Sequence, residues 1–225
     1  MIRLENLTKR YRLKGRETLV ADRLNAEFPT GASVALLGRN GAGKSTLLRM
    51  IAGTVSPTAG RVLSDGTISW PVGFAGSFHP ELTGAQNVRF VARIYGVDTD
   101  ELIDYVEDFA ELGQHYHQPF GSYSSGMRSR LAMGASMGIH FDTYLVDEVT
   151  SVGDANFRAK SQRVFAERMA RSSAIVVSHS MPMIRRMCTM GAVLHHGRLT
   201  LCMDLEEAIR MHEEILRVPP DTQDE

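Results

Sequence analysis

The 225-residue sequence has little cysteine, no long apolar run and almost no excess charge, and each shortage excludes a class of protein. The two cysteines, Cys188 and Cys202, are too few for a disulfide framework and lack metal-ligand spacing. They read as free thiols in a reducing compartment. The apolar uncharged run at residues 131–141 is too short to cross a bilayer. The opening MIRLENLTKRY carries charges at Arg3 and Glu5, unlike a secretion signal. A net charge of −1 gives no electrostatic ground for a nucleic-acid partner, and the short basic clusters RSR and IRR read as solvated faces. Internal repeats and low-complexity blocks are missing too. What is left is an ordinary folded composition, 43% hydrophobic and 23% charged, at a length that suits one α/β domain. The expected compartment is the cytoplasm, so work at a membrane would need another chain to do the spanning.

Hydrophobic patterning supplies the elements. Residues 2–7 alternate apolar and polar, which reads as an exposed-edge strand. A second strand is expected over 24–28, closed by the turn at 29–31. Residues 33–38 are continuously apolar, as in a buried parallel strand, with a helix over 44–52 stopped by Gly53. Short strands fit 60–72. From 86 to about 140 the period is helical; Leu102, Val106 and Phe109 share one face, with Asp98 and Glu101 placed to cap its start. Further strands are expected at 143–148 and 173–179, with a helix over 155–171 between them. A hairpin over 192–201 turns at His196-Gly197, a last amphipathic helix covers 205–216, and a polar tail follows. The alternation argues a mainly parallel sheet interrupted by one helical insert.

The strongest motif is GRNGAGKST, residues 38–46, lying after a buried strand and before a helix. Glycines let backbone N–H groups turn inward and close on phosphate oxygens, while the following helix offers the same anion its N-terminal dipole. Lys44 would reach the β- and γ-phosphates, and Ser45 would give its hydroxyl to Mg²⁺. Such a loop needs an acidic partner for the metal. YLVDEV supplies one: Asp147 ends an apolar strand, where α/β sheets bind ligands, and Glu148 follows as a candidate to polarise the attacking water. Between the two lies SYSSGM, residues 122–127, a serine–glycine stretch opening a long helix. It suits an anion at a helix N-terminus, although Ser-Ser-Gly before a helix is more often plain capping.

This order of motifs resembles the nucleotide-binding subunit of ATP-binding cassette (ABC) transporters, over about residues 1–210. The family signature is L-S-G-G-Q. Here Ser124 and Gly126 match it, while Tyr123, Ser125 and Met127 depart. YSSGMRSRL, DEVTSVGDANF and FHPELTGAQNV look like the branch that exports bacterial surface polysaccharides. The short stretch after the core is similar to the capsular type rather than to O-antigen members with an added sugar-binding domain.

The resemblance implies an α/β P-loop NTPase fold of ABC type. It has a mainly parallel core sheet, antiparallel N-terminal strands and a helical insert. One domain is expected: a core of about 1–84 and 141–216, a helical subdomain of about 85–140, and a polar tail at 217–225. ATP and Mg²⁺ are the implied cofactors. Nucleotide contacts fall on Tyr11, which would stack on adenine, on Gly38, Arg39, Asn40, Gly41, Ala42, Gly43, Lys44, Ser45 and Thr46, and on Ser124, Ser125, Gly126 and Asp154. Tyr11 and His179 each have a plain packing reading as well. Ser45 and Asp147 would hold the metal. Glu148, His179 and Lys44 would serve catalysis, His179 as the switch that senses the γ-phosphate. The implied partners are a second copy in an ATP-sandwich dimer, a membrane-spanning permease and, through it, other envelope export components. The implied place is the cytoplasmic face of the inner membrane. A GTPase would want Asn-Lys-x-Asp, which the sequence does not contain.

One stretch departs from the family. Between P-loop and helical insert, ABC proteins carry a glutamine that touches Mg²⁺ and the attacking water. GFAGSFHPELTG, residues 73–84, has none, and the first glutamine is Gln86. Ser77 and His79 are the nearest polar candidates. Gly73, Gly76 and Gly84 would keep a hinge, and Phe74, Phe78 and Pro80 would dock a partner helix or pack on their own loop.

Overall fold

The computed structural model describes residues 1–13, 15–74, 76, 78–147 and 154–218, apart from the side chains of Leu13 and Arg16. The chain forms two compact units. The first takes Met1–Ile68, Asp142–Glu148 and Ser172–Glu225; the second takes Ser69–Phe141 and Val149–Arg171. The second unit thus draws in chain on both sides of the 85–140 insert outlined by the helical period.

In chain order the elements are β1 (Ile2–Leu13), β2 (Arg16–Phe28), β3 (Ser33–Leu37), α1 (Lys44–Ile51), β4 (Ala59–Ser64) and β5 (Ile68–Pro71). Along β5 the chain leaves the first unit. Next come α2 (Gly84–Tyr95), α3 (Thr99–Ala110), two 3-10 turns at Gly113–His117 and Phe120–Ser122, α4 (Ser125–Gly138), β6 (Thr143–Asp147) and α5 (Ala155–Met169). The chain closes with β7 (Ser173–Val177), α6 (Met181–Met187), β8 (Met190–His195), β9 (Arg198–Cys202) and α7 (Leu205–Arg217).

The first unit holds two sheets. In the smaller, β1 lies between β2 and β4, antiparallel to both. The expectation of an edge strand at 2–7 is therefore corrected. Alternation there reports a solvated face, with Ile2 and Leu4 buried, and not a free edge. Both β1 and β2 also run much further than hydropathy indicated. Their outer ends are polar and held by charge, with the Arg10 guanidinium 3.0 Å and the Arg12 Nε 3.1 Å from the Glu17 carboxylate. Those arginines hold the Glu17 carboxyl below its ordinary pKa.

In the larger sheet, the strands wholly within this unit run β6-β7-β3-β8-β9. The first four are parallel, and β9 returns antiparallel to β8. Burial explains the continuous apolar runs: every residue of β7 is buried, and four of the five in β3. Leu36, Leu47, Leu48, Leu145 and Ile175 share one core with Leu4, Leu7 and Phe28 of the smaller sheet. Each such side chain is worth about 1.5–3 kcal/mol when fully removed from water. The β8–β9 hairpin turns at His196 and Gly197, both with positive φ (45° and 70°), as the sequence indicated.

The second unit is mostly helical. Asp98 caps α3 by accepting the N–H groups of Asp100 and Glu101, and Leu102, Val106 and Phe109 are buried on its inner face. The helical stretch is not continuous. It breaks at Gly96, a left-handed C-cap with φ 67°, and again through the 3-10 turns around Pro119. α4 runs through the middle of the unit, with residues Leu131, Ala132, Met133, Gly134, Ala135, Ser136 and Met137 all buried. Arg168 of α5 donates to the Met137 carbonyl at its far end, 2.8 Å from Nη2. The short helix α6 was missed, because seven residues carry too little period to register.

Candidate functional site

In the first unit, β3 ends at Leu37 and the chain turns sharply into α1. Gly38, Gly41 and Gly43 have φ of 154°, 81° and 100°. Gly43 is the N-cap of α1 and offers no side-chain acceptor, so the first N–H groups of the helix keep their capacity for an anion. The loop is also wedged in place. A Cβ on Gly38 would stand 2.4 Å from the Leu194 carbonyl oxygen of β8, and one on Gly43 would stand 2.3 Å from Val20 Cγ1 of β2. Lys44 Nζ folds back to donate to the carbonyls of Gly38 (2.8 Å) and Arg39 (2.9 Å). Ser45 is exposed on the first turn of α1, and Thr46 behind it is half-buried.

Strand order brings the other groups alongside. β7 lies between β3 and β6, so the carboxyl ends of the three strands stand in a row. Asp147, half-buried, ends β6 opposite Val177 of β7. His179 is exposed two residues beyond the end of β7. Neighbouring strands are about 4.8 Å apart, so Asp147 is about 10 Å across the sheet from the strand that feeds the P-loop, with His179 just past the end of the strand between. Tyr11 lies within β1, opposite Thr18, and not after an edge strand as expected. Its ring is 43% exposed, with Lys9 Nζ 4.9 Å from the ring centroid. Glu148, Ser77 and residues 151–153 of the SVGD stretch lie outside the described residues, as does the tail at 219–225.

In the second unit, Ser124 is the N-cap of α4, accepting the Met127 N–H at 3.3 Å. Capping and an exposed helix N-terminus therefore coexist at the serine–glycine stretch. Tyr123, the first departure from the signature, is a packing residue: it is buried, and its hydroxyl donates to the His115 carbonyl at 2.6 Å. Gly126 is different. A Cβ there would find only Ser124 Oγ, at 4.0 Å. Asp154 caps α5, accepting from Asn156 and Phe157, and its other oxygen takes the Arg130 guanidinium of α4 at 2.6 Å. The Phe157 N–H first, and Arg130 after it, hold the Asp154 carboxyl below its ordinary pKa. The reading of RSR as a solvated face is corrected at Arg130: its side chain is only 18% exposed, and its guanidinium also lies 4.4 Å from the Phe157 ring centroid.

A family model described as ABC transporter matches residues 21–151, more than half of the chain. The chain belongs to the ABC transporter family. Over 199 residues it is 52% identical to the polysialic acid transport ATP-binding protein KpsT of Escherichia coli, covering 88% of this chain and 89% of that one. It is 40% identical to the capsule polysaccharide export ATP-binding protein CtrD of Neisseria meningitidis serogroup B, over 96% of this chain and 100% of that protein. Among solved structures, a dimeric ATP-binding cassette, MJ0796, in a post-hydrolysis state bound to ADP and Pi superposes with a TM-score of 0.70 at 22% identity. That match covers 88% of this chain and 96% of the other, and it supports the ABC ATPase fold.

The ABC fold makes the glycine-rich stretch intelligible and corrects one reading of it. Phe78 is buried (7% exposed) and packs edge-on against Phe120, centroids 5.3 Å apart, so it offers no surface to a partner. Gln86 is occupied as well. It forms a capping box with Thr83, whose N–H donates to Gln86 Oε1 at 2.9 Å while the Gln86 N–H donates to Thr83 Oγ1 at 3.1 Å. His79 has its Nδ1 turned to the Glu81 N–H of its own turn. The residue that organises this stretch is Asn87, which went unnoticed in the sequence. Buried on α2, its amide oxygen accepts the His79 N–H and its Nδ2 donates to the carbonyls of His79, Leu82 and Thr83. Phe74 (41%) and Pro80 stay exposed, as do Phe90 (56%) and Ile94 (60%), one turn apart on α2.

Proposed function

We propose that this ABC subunit hydrolyses ATP with Mg²⁺ to drive export of a capsular polysaccharide, as a homodimer held by a membrane-spanning partner at the cytoplasmic face of the inner membrane. The observation that carries this reading is the likeness, over nearly the whole chain, to relatives named for polysialic acid transport and capsule polysaccharide export. Further envelope export components would be reached through the membrane partner. No helix among the described residues is long and apolar enough to cross a membrane.

The P-loop N–H groups and the first turn of α1 cradle the β- and γ-phosphates, and Lys44 leaves the loop carbonyls to join them. Tyr11 stacks on the adenine. The donor set fits Mg²⁺: an exposed hydroxyl at Ser45 and a strand-end carboxylate at Asp147 are hard oxygen ligands that leave positions for phosphate and water. Held by Ser45 and Asp147, Mg²⁺ would supply positive charge against the phosphate oxygens. Glu148 accepts hydrogen from the attacking water, and His179 donates to the γ-phosphate. Ser124, Ser125 and Gly126 of a second chain close the site from the far side, with Asp154 and its loop at the dimer interface. Phe74, Phe90 and Ile94 replace Phe78 as the surface offered to the membrane partner.

Glu148→Gln tests the chemistry. ATP binding should persist while steady-state hydrolysis falls at least about a hundredfold and dimers accumulate in ATP. Hydrolysis near the unmutated rate would remove Glu148 from the mechanism.

A further inference from the structure

The P-loop is tethered at a third point, and this tether does not come from a sheet. Arg39, the second residue of GRNGAGKST, points its guanidinium at the end of α7. Its Nη1 donates to the Ile215 carbonyl at 3.1 Å and to the Val218 carbonyl at 2.7 Å. Ile215 lies in the last turn of the helix, where carbonyls have no partner inside the helix and carry the negative end of its dipole. A cation there is doubly favoured.

α7 is itself firmly seated. Leu205, Ala208 and Ile209 are buried, and the helix packs on β8 so closely that a Cβ on Gly191 would stand 2.2 Å from Ala208 Cβ. One turn before the tether, His212 is 9% exposed, and its Nδ1 finds no hydrogen-bond partner among the described residues. Burial, and then the charge of Lys44, lower its pKa, which puts the inner face of α7 within the field of the P-loop lysine.

The main chain of Arg39 meets the P-loop lysine and a loop amide. Its carbonyl accepts from Lys44 Nζ at 2.9 Å and from the Ala42 N–H at 3.1 Å. One residue thus joins the end of α7, through its side chain, to the lysine and the loop amides that meet phosphate, through its backbone. We propose that Arg39 is a positioning residue, and that the last turn of α7 sets nucleotide affinity by holding the P-loop through it. The inference rests on the nucleotide-binding reading above and extends it to a helix that carries none of the motifs.

The rival explanation is that Arg39 touches nucleotide directly, and a double-mutant cycle separates the two. The measurement is ADP affinity by calorimetry on Arg39→Ala, on a chain ending at Glu214, on the two changes combined, and on Arg39→Lys. Of the described residues removed, Leu216, Arg217 and Val218 are exposed and Ile215 is half-buried, so the truncated chain keeps the buried Leu205, Ala208, Ile209 and His212 of α7. We expect Arg39→Ala and the truncation each to weaken ADP binding about tenfold, and the combined variant to bind no worse than either. Arg39→Lys, which keeps one donor for the carbonyls, should recover part of the loss. Losses that multiply in the combined variant, or a truncation that leaves affinity within about twofold, would overturn the inference. So would a fall in melting temperature with affinity unchanged, which marks a purely structural tether. An unmutated chain that binds no ADP would instead sink the nucleotide reading itself.

Discussion

Gly38 and Gly43, on one side, and Gly126, on the other, stand in the two stretches suited to phosphate, and their surroundings are opposite. The P-loop glycines have no room: a side chain at either would run into β8 or β2 at under 2.5 Å. Gly126 has open space, with nothing nearer than 4.0 Å. The first pair is therefore demanded by the chain's own fold, whatever the loop binds. Gly126 is demanded by no neighbour among the described residues, so the first turn of α4 is left open there. Asp154 and Arg130 extend the contrast. They hold α5 to α4 beneath that open surface, while the P-loop is gripped from three sides.

Breaking the crowded side should have the largest effect. Gly38→Ala puts a Cβ against a backbone oxygen at a φ that side chains rarely adopt. It should cost about 3 kcal/mol of stability and abolish ATP binding. A melting temperature within a degree or two of the unmutated protein would show that the loop is looser than its geometry implies. On the open side, Gly126→Ala should do the reverse to the fold. The helix should gain about 0.5–1 kcal/mol, and ATP affinity of the single chain should be unchanged, while hydrolysis by the dimer falls about tenfold or more. A loss of stability there would mean that Gly126 is needed locally after all.

The smallest effect concerns the support under the open surface. The Asp154 carboxyl has a lowered native pKa, so its charge adds stability in full above the unfolded value, about 3.9 for an aspartate, and that contribution disappears as pH falls through the native value below it. Asp154→Asn keeps the capping oxygen and loses the charge beside Arg130. Its melting temperature should be lower than the unmutated one at pH 7, and the gap should close as the solution is taken below the usual carboxylate range. A gap that persists into strong acid would assign the effect to lost cap geometry rather than to charge.

Much of the first unit could be read from the sequence because its signals are local and redundant. GRNGAGKST sits between a buried strand and a helix, Asp147 ends another apolar strand, and His196-Gly197 makes its turn where a two-residue hairpin wants it. The failures come from long-range partners. Nothing local tells that β1 is flanked on both sides, since alternation shows a face and not an edge. Residues 8–13 and 16–23 look like loop because their pairing rests on Arg10, Arg12 and Glu17 rather than on apolar alternation. Phe78 looks like docking surface because Phe120, which covers it, is more than forty residues away. The side-chain bonds of Asn87 and Arg39 are invisible for the same reason: their partners are main-chain groups, which carry no sequence signature. Tyr123 and Met127 read only as departures from a family signature, and nothing local tells that Tyr123 is buried with its hydroxyl donating to the His115 carbonyl.

The central claim is that the two stretches act on one nucleotide from different chains. Lys44→Ala removes the P-loop half and Ser124→Arg obstructs the signature half, so each alone should be inactive. Mixed together, the two variants form some dimers in which an intact P-loop faces an intact signature. Hydrolysis should then return, to as much as about a quarter of the unmutated rate for random pairing of two equal sites. If the mixture stays as inactive as its components while dimers are shown to exchange, the two stretches do not meet across chains, and the account of the site is wrong.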